Sequence, residues 1–220
     1  MRKSFILIFF MASFTFIQAQ KKRIIFFGDS ITEQGVQPNG YITFLNKLLD
    51  KNKISDYELM GAGIGGNKVY DLYLRLDDDV LSKKPDVVVI WIGVNDVWHK
   101  QSLGTGTDAD KFEKFYTSII KKLKQDNIKI YLCTPAVIGE RTDFSNELDG
   151  DLNKYSGIIR ELAEKNNCGL IDLRKKFLDY NLIHNKTNKE AGILTTDRVH
   201  LNEAGNKLVA EEMYKALIKQ

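Results

Sequence analysis

The stretch that most constrains this chain is residues 86–92, Asp-Val-Val-Val-Ile-Trp-Ile. It is β-branched and aromatic, and it is apolar at successive positions rather than alternate ones. Such a run suits a strand covered on both faces, which places it at the centre of a parallel sheet. Parallel neighbours cannot be joined by tight turns, so helical crossovers must lie between them. Shorter apolar runs at 23–27, 57–60, 128–133 and 169–173 supply four more strands. Apolar residues at helical spacing predict helices over about 41–49, 67–82, 108–126, 151–166, a segment ending near 183, and 203–218. Residues 31–40 read as a polar loop, 139–150 as a polar insertion and 184–200 as a long loop. Five strands alternating with helices predict an α/β fold, a three-layer α/β/α sandwich on a five-stranded parallel sheet. Right-handed crossovers limit the topologies, and among them a flavodoxin-like order, 2-1-3-4-5, is expected.

Of 220 residues, 43% are hydrophobic, enough for one domain with a sizeable core. The formal charge is only +3, and Arg2 and Lys3 supply two of those positives. A near-neutral body with mixed charges gives no footprint for nucleic acid. Residues 1–19 have a basic start, an apolar run from 5 to 17 and small Ala19, the plan of a secretory signal peptide. That run is shorter than a membrane-spanning helix requires, so no stable membrane insertion is expected. The expected organisation is a leader over 1–19 and a single domain over 20–220, secreted or periplasmic. Cys133 falls late in one predicted strand and Cys168 just before the next, opposite ends that do not suit a disulfide.

In open parallel sheets, function gathers beyond the carboxyl ends of the strands. Ser30 follows the first strand in Gly28-Asp29-Ser30, Gly66 follows the second and Asn95 follows the third. If those strands are neighbours, the three meet at one edge, and the loop carrying Asp197 and His200 can fold over it. A serine hydroxyl with a histidine base forms an acyl-transfer nucleophile. A carboxylate on the other ring nitrogen fixes the tautomer. The Ser30 and Gly66 N–H groups and the Asn95 side-chain amide can receive an oxyanion. Each residue alone has an ordinary explanation: Ser30 a helix cap, Gly66 a tight turn, Asn95 and Asp96 caps, Asp197 and His200 a surface pair.

The ordered set resembles the GDSL, or SGNH, hydrolases. Gly28-Asp29-Ser30 is similar to their first block, Gly66 within Ala-Gly-Ile-Gly-Gly-Asn to the second, Gly93-Val94-Asn95-Asp96 to the third and Asp197-Arg198-Val199-His200 to the last. The resemblance implies Ser30 as nucleophile, His200 as base, Asp197 as its orienter, and Ser30, Gly66 and Asn95 as oxyanion donors, with no metal or cofactor. Two positions depart from the pattern. Ile31 replaces the family's leucine, and Gly61 stands where an asparagine often opens the second block. The resemblance implies an ester hydrolase. Export and a short chain without an evident lid favour small acyl groups, acetyl above all, on a small-molecule or glycan ester such as a carbohydrate O-acetyl ester. Asp29 and Trp98 are expected at the substrate, Trp98 as a stacking face with His99 beside it on the pocket wall. Glu140, Arg141 and Asn146 of the insertion are further candidates for glycan contact.

Other classes fit less well. Residues 61–66 match G-x-G-x-x-G, but Asp86 begins its strand, the wrong end to hold a ribose. The acidic residues Asp143, Glu147, Asp149 and Asp151 suit a solvated loop better than a calcium site. A lysophospholipase or thioesterase, or a catalytically silent glycan-binding module on the same fold, completes the alternatives.

Overall fold

The computed structural model describes residues 20–219; the expected leader over 1–19 lies outside them. Five strands, β1 (Lys22–Gly28), β2 (Tyr57–Gly63), β3 (Val87–Trp91), β4 (Lys129–Cys133) and β5 (Gly169–Ile171), form one parallel sheet in the order β2-β1-β3-β4-β5. Every residue of β3 is buried, as its two-sided apolar sequence requires. β1 is buried from Ile24 onward, and Ile25 and Phe27 are wholly enclosed. Enclosing side chains of that size contributes about 1.5–3 kcal/mol each.

Helices cover both faces. α2 (Tyr41–Lys51) packs on α8 (Glu203–Leu217) on one side. On the other, α3 (Val69–Asp79) packs on α5 (Ala109–Gln125), which adjoins α6 (Asp149–Lys165). α5 shows the rule that makes these layers: Phe112, Tyr116, Ile119, Ile120 and Leu123 are its buried residues, one apolar stripe at helical spacing. α7 (Leu173–His184) follows β5 directly. Cys133 and Cys168 are both free thiols.

Two helices stand where the sequence predicts none. The segment read as a polar loop begins with α1 (Ser30–Gly35), and α4 (Val94–Ser102) follows β3. Both are short and carry few apolar residues, so periodicity does not reveal them. α1 is started by Asp29, whose carboxylate accepts the Ile31 N–H at 3.0 Å. β2 also runs three residues further than predicted, through Gly61 and Gly63. A Cβ on Gly63 would stand 2.1 Å from the Glu33 nitrogen and one on Gly61 would stand 2.5 Å from Val36. The glycines of the G-x-G-x-x-G match therefore let α1 lie directly on the end of β2.

In register, Gly28 is paired with Gly63 on one side and Trp91 on the other, and Trp91 with Cys133. The carboxyl ends of four strands are thus level, and the loops beyond them share one rim.

Candidate active site

Ser30 is the first residue of α1, set at that rim by the Asp29 cap. Its Oγ is 2.9 Å from His200 Nε2, and His200 Nδ1 is 2.7 Å from Asp197 Oδ2. The other Asp197 oxygen accepts the His200 and Val199 backbone N–H groups at 2.8 and 3.1 Å. Burial pushes the Asp197 carboxyl upward, but these hydrogen bonds outweigh it and hold the group below the usual carboxylate range. An ionised Asp197 only accepts, so the ring proton sits on Nδ1. Nε2 is then left to accept from the serine hydroxyl.

Gly66 has φ +75°, a conformation that favours glycine. Its carbonyl accepts from the Lys68 ammonium at 3.0 Å, and Lys68 is only 7% exposed. Among the described residues, the Ser30 and Gly66 N–H groups donate to no protein acceptor. Asn95 occupies the first turn of α4, and its Nδ2 donates to the Asn67 carbonyl at 3.1 Å. That bond uses one amide hydrogen and ties Asn95 to the loop carrying Gly66. Both loops therefore offer donors of the kind an oxyanion needs, and the α4 N-terminus adds a favourable dipole.

The surrounding residues brace this rim. Asp96 is fully buried and receives the Val69 N–H at the start of α3, locking α4 to α3. Burial raises its pKa to about 7. Arg75 donates from one terminal nitrogen to the Gly28 and Ala62 carbonyls, at 2.8 and 3.1 Å, and from Nε to Asn67 Oδ1 at 2.7 Å. It stacks over Phe27, 4.5 Å from the ring centre. A lone arginine in the middle of a helix carries no sequence signal for such a position.

Three expectations change. Asp29, expected at the substrate, is 2% exposed and is committed to capping α1; burial raises its pKa to about 7. Glu140 and Asn146, expected to meet a glycan, are buried and bonded within the protein. Asn146 spans Arg141 and Asp149, while Glu140 accepts three backbone N–H groups of residues 193–195. Of the acidic residues in the insertion, Asp149 pairs with the buried Arg174 and Asp143 with Ser145. Arg141 instead faces Glu190. Trp98 is partly exposed on α4, its ring 5.6 Å from that of His99. His99 in turn reaches Gly66: a Cβ there would be 3.8 Å from its Cε1. Burial, together with the Lys68 charge, lowers the His99 pKa.

Comparison with known proteins places this geometry. The profile of the GDSL-like Lipase/Acylhydrolase family matches residues 26–208. An acetylxylan esterase of Geobacillus stearothermophilus is 29% identical over 213 residues, 89% of this chain and 94% of that protein. The crystal structure of the acetyl xylan esterase AlAXEase is 65% identical, with a TM-score of 0.88 over 89% of this chain and all of that one. The acetylxylan esterase Axe2 of Geobacillus stearothermophilus is 27% identical with a TM-score of 0.78, over 91% and 96% of the two chains. Catalytic mutants of Axe2 carry alanine in place of a serine or a histidine. A match that spans the sheet from β1 to α8 takes in Ser30, Gly66, Asn95, Asp197 and His200 alike, and the chain belongs to the GDSL-like lipase/acylhydrolase family as a carboxylic ester hydrolase.

Proposed function

We propose that the protein is a serine esterase that removes acetyl groups from a glycan of the acetylated xylan class. The observation that carries the proposal is the Ser30–His200–Asp197 chain of hydrogen bonds, at 2.9 and 2.7 Å, beside the Ser30 and Gly66 N–H groups, which donate to no acceptor among the described residues. The acetylxylan esterases of similar sequence and structure support the choice of acyl group and alcohol.

In this mechanism Ser30 Oγ attacks the acetyl carbonyl and passes its proton to His200 Nε2. Asp197 stabilises the imidazolium. The negative oxygen of the tetrahedral intermediate takes hydrogen bonds from the Ser30 and Gly66 N–H groups and from Asn95 Nδ2. As the intermediate collapses, His200 returns the proton to the departing sugar hydroxyl and leaves an acetyl-serine. Water, deprotonated by the same histidine, releases acetate and restores Ser30. Trp98 offers a face on which a sugar ring can stack. Export belongs to the proposal, supported by the basic start and apolar run within residues 1–19. Among the described residues no helix is long and apolar enough to cross a membrane.

The test is acetate release from acetylated xylan, beside p-nitrophenyl esters from acetate to octanoate, by the wild type and Ser30→Ala. Turnover that falls with acyl length and vanishes in the variant is expected. Preference for long acyl chains would favour a lysophospholipase or thioesterase instead. A folded protein that binds xylan but hydrolyses no ester would point to a silent glycan-binding module.

A further inference from the structure

We infer that Glu140 is a positioning residue for the reaction, acting through the loop that carries Asp197 and His200; the inference rests on the reaction proposed above. Glu140 is 1% exposed. Its Oε2 accepts the Ile193 N–H at 2.8 Å, and its Oε1 accepts those of Leu194 and Thr195 at 2.6 and 2.9 Å. No lysine or arginine among the described residues pairs with it, so three successive peptide dipoles are what compensate the buried charge. Its own backbone is fixed as well. The Glu140 N–H donates to the Glu190 carbonyl at 2.9 Å, and Asn185 Nδ2 donates to the Glu140 carbonyl at 2.7 Å.

These contacts fall at the root of a closed loop. The Asn202 N–H donates to the Leu194 carbonyl at 3.0 Å, Thr195 bridges Leu201, and the Thr196 N–H donates to the His200 carbonyl at 2.8 Å. The tip beyond that root is open. Residues 196–198 are exposed, and the Asp197 side chain is 51% exposed. The tip is held from outside by the buried Val199, the Gly139 N–H on the Arg198 carbonyl and an Arg198–Glu190 ion pair. The direction in which Asp197 and His200 leave the root is therefore set by the Glu140 grip at the root together with these contacts at the tip. The oxyanion donors sit on other loops and do not depend on that grip. A histidine displaced by about 1 Å from its nucleophile loses on the order of 10²-fold in rate.

The test is Glu140→Gln, which keeps the shape but turns an amide N–H donor onto at least one backbone N–H. With p-nitrophenyl acetate, kcat should fall by about 10- to 100-fold while KM stays within about threefold. The downfield proton resonance of His200 Nδ1–H hydrogen-bonded to Asp197 should shift or broaden. Both are read below the unfolding transition. A lowered melting temperature with unchanged kcat and an unchanged resonance would show that Glu140 only stabilises the fold, and would overturn the inference. Should Glu140→Gln not fold, Asn185→Ala loosens the Glu140 backbone from behind; reduced kcat at constant KM supports the inference and unchanged kcat refutes it. If the wild type hydrolyses no ester, the proposed function fails, and the resonance alone still decides the role of Glu140.

Discussion

Replacing Asp197 with Asn tests the proposed base most directly. In the protein, one oxygen of Asp197 takes the His200 and Val199 backbone N–H groups, while the other faces His200 Nδ1. Asparagine cannot serve both sides. If its oxygen keeps the backbone bonds, its NH₂ faces Nδ1, the ring proton moves to Nε2, and the imidazole donates to Ser30 instead of accepting. The flipped amide restores the tautomer but gives up two backbone hydrogen bonds at about 0.5–1.5 kcal/mol each. The productive arrangement therefore lies about 1–3 kcal/mol uphill. Loss of the carboxylate also removes its attraction for the imidazolium, worth about 1–4 kcal/mol at 4 Å between bulk water and a protein surface. Because Asp197 is half exposed, the lower part of that range applies. Together these give about 2–5 kcal/mol, or a kcat loss of roughly 30- to 5,000-fold. The assay is p-nitrophenyl acetate hydrolysis at neutral pH, with the melting temperature measured beside it. A folded variant that loses less than tenfold would show that His200 does not depend on Asp197, and would refute the reasoning.

Asn95→Ala should lower kcat by about 10²- to 10³-fold with the fold retained by circular dichroism; an unfolded variant would make Asn95 structural instead. Asp29 and Asp96 both have pKa values raised by burial to about 7, so the folded state holds protons that the unfolded chain releases near pH 4. The stability they contribute is complete below about pH 4 and is lost as pH rises to about 7. Urea unfolding at pH 4.5, 6 and 7.5 should therefore show Asp96→Asn gaining on the wild type as pH increases. Arg75→Met removes the donors that hold the Gly28 and Ala62 carbonyls and should destabilise by about 2–4 kcal/mol in urea unfolding.

What could be read from the sequence and what could not divide along a physical line. The strands announce themselves because a doubly covered strand must be apolar at consecutive positions, as residues 87–91 are. The handedness of the crossovers then limits the order of the sheet to a few topologies, of which the flavodoxin-like one is found. Ser30, Gly66, Asn95, Asp197 and His200 stand out because the residue types suited to a nucleophile, base and donors fall after successive strands and in one late loop. α1 and α4 do not, because they are short and carry too few apolar residues for a helical period to show. The run at 61–66 is ambiguous for a related reason: a glycine admits close approach equally to a phosphate or to a helix. Only the 2.1 Å that would separate a Gly63 Cβ from Glu33 settles which.

Glu140 marks the limit of that reading. An acid in the polar stretch after β4 has the same sequence whether it meets solvent, a sugar or three backbone amides, and burial alone separates the cases. Its position also changes how the site divides its work. The proposed donors for the oxyanion belong to loops after β1, β2 and β3, tied together through Asn67, Asn95, Asp96 and Arg75. The proposed base and its carboxylate, His200 and Asp197, belong to a separate loop, anchored from the segment after β4. A perturbation of the first group should weaken the hold on the acyl oxygen, and one of the second should misplace the proton acceptor. The two sets of variants should therefore fall into different kinetic classes even where their losses in kcat are equal. Only those in the first group should also weaken binding of an analogue that presents a fixed oxyanion to Ser30.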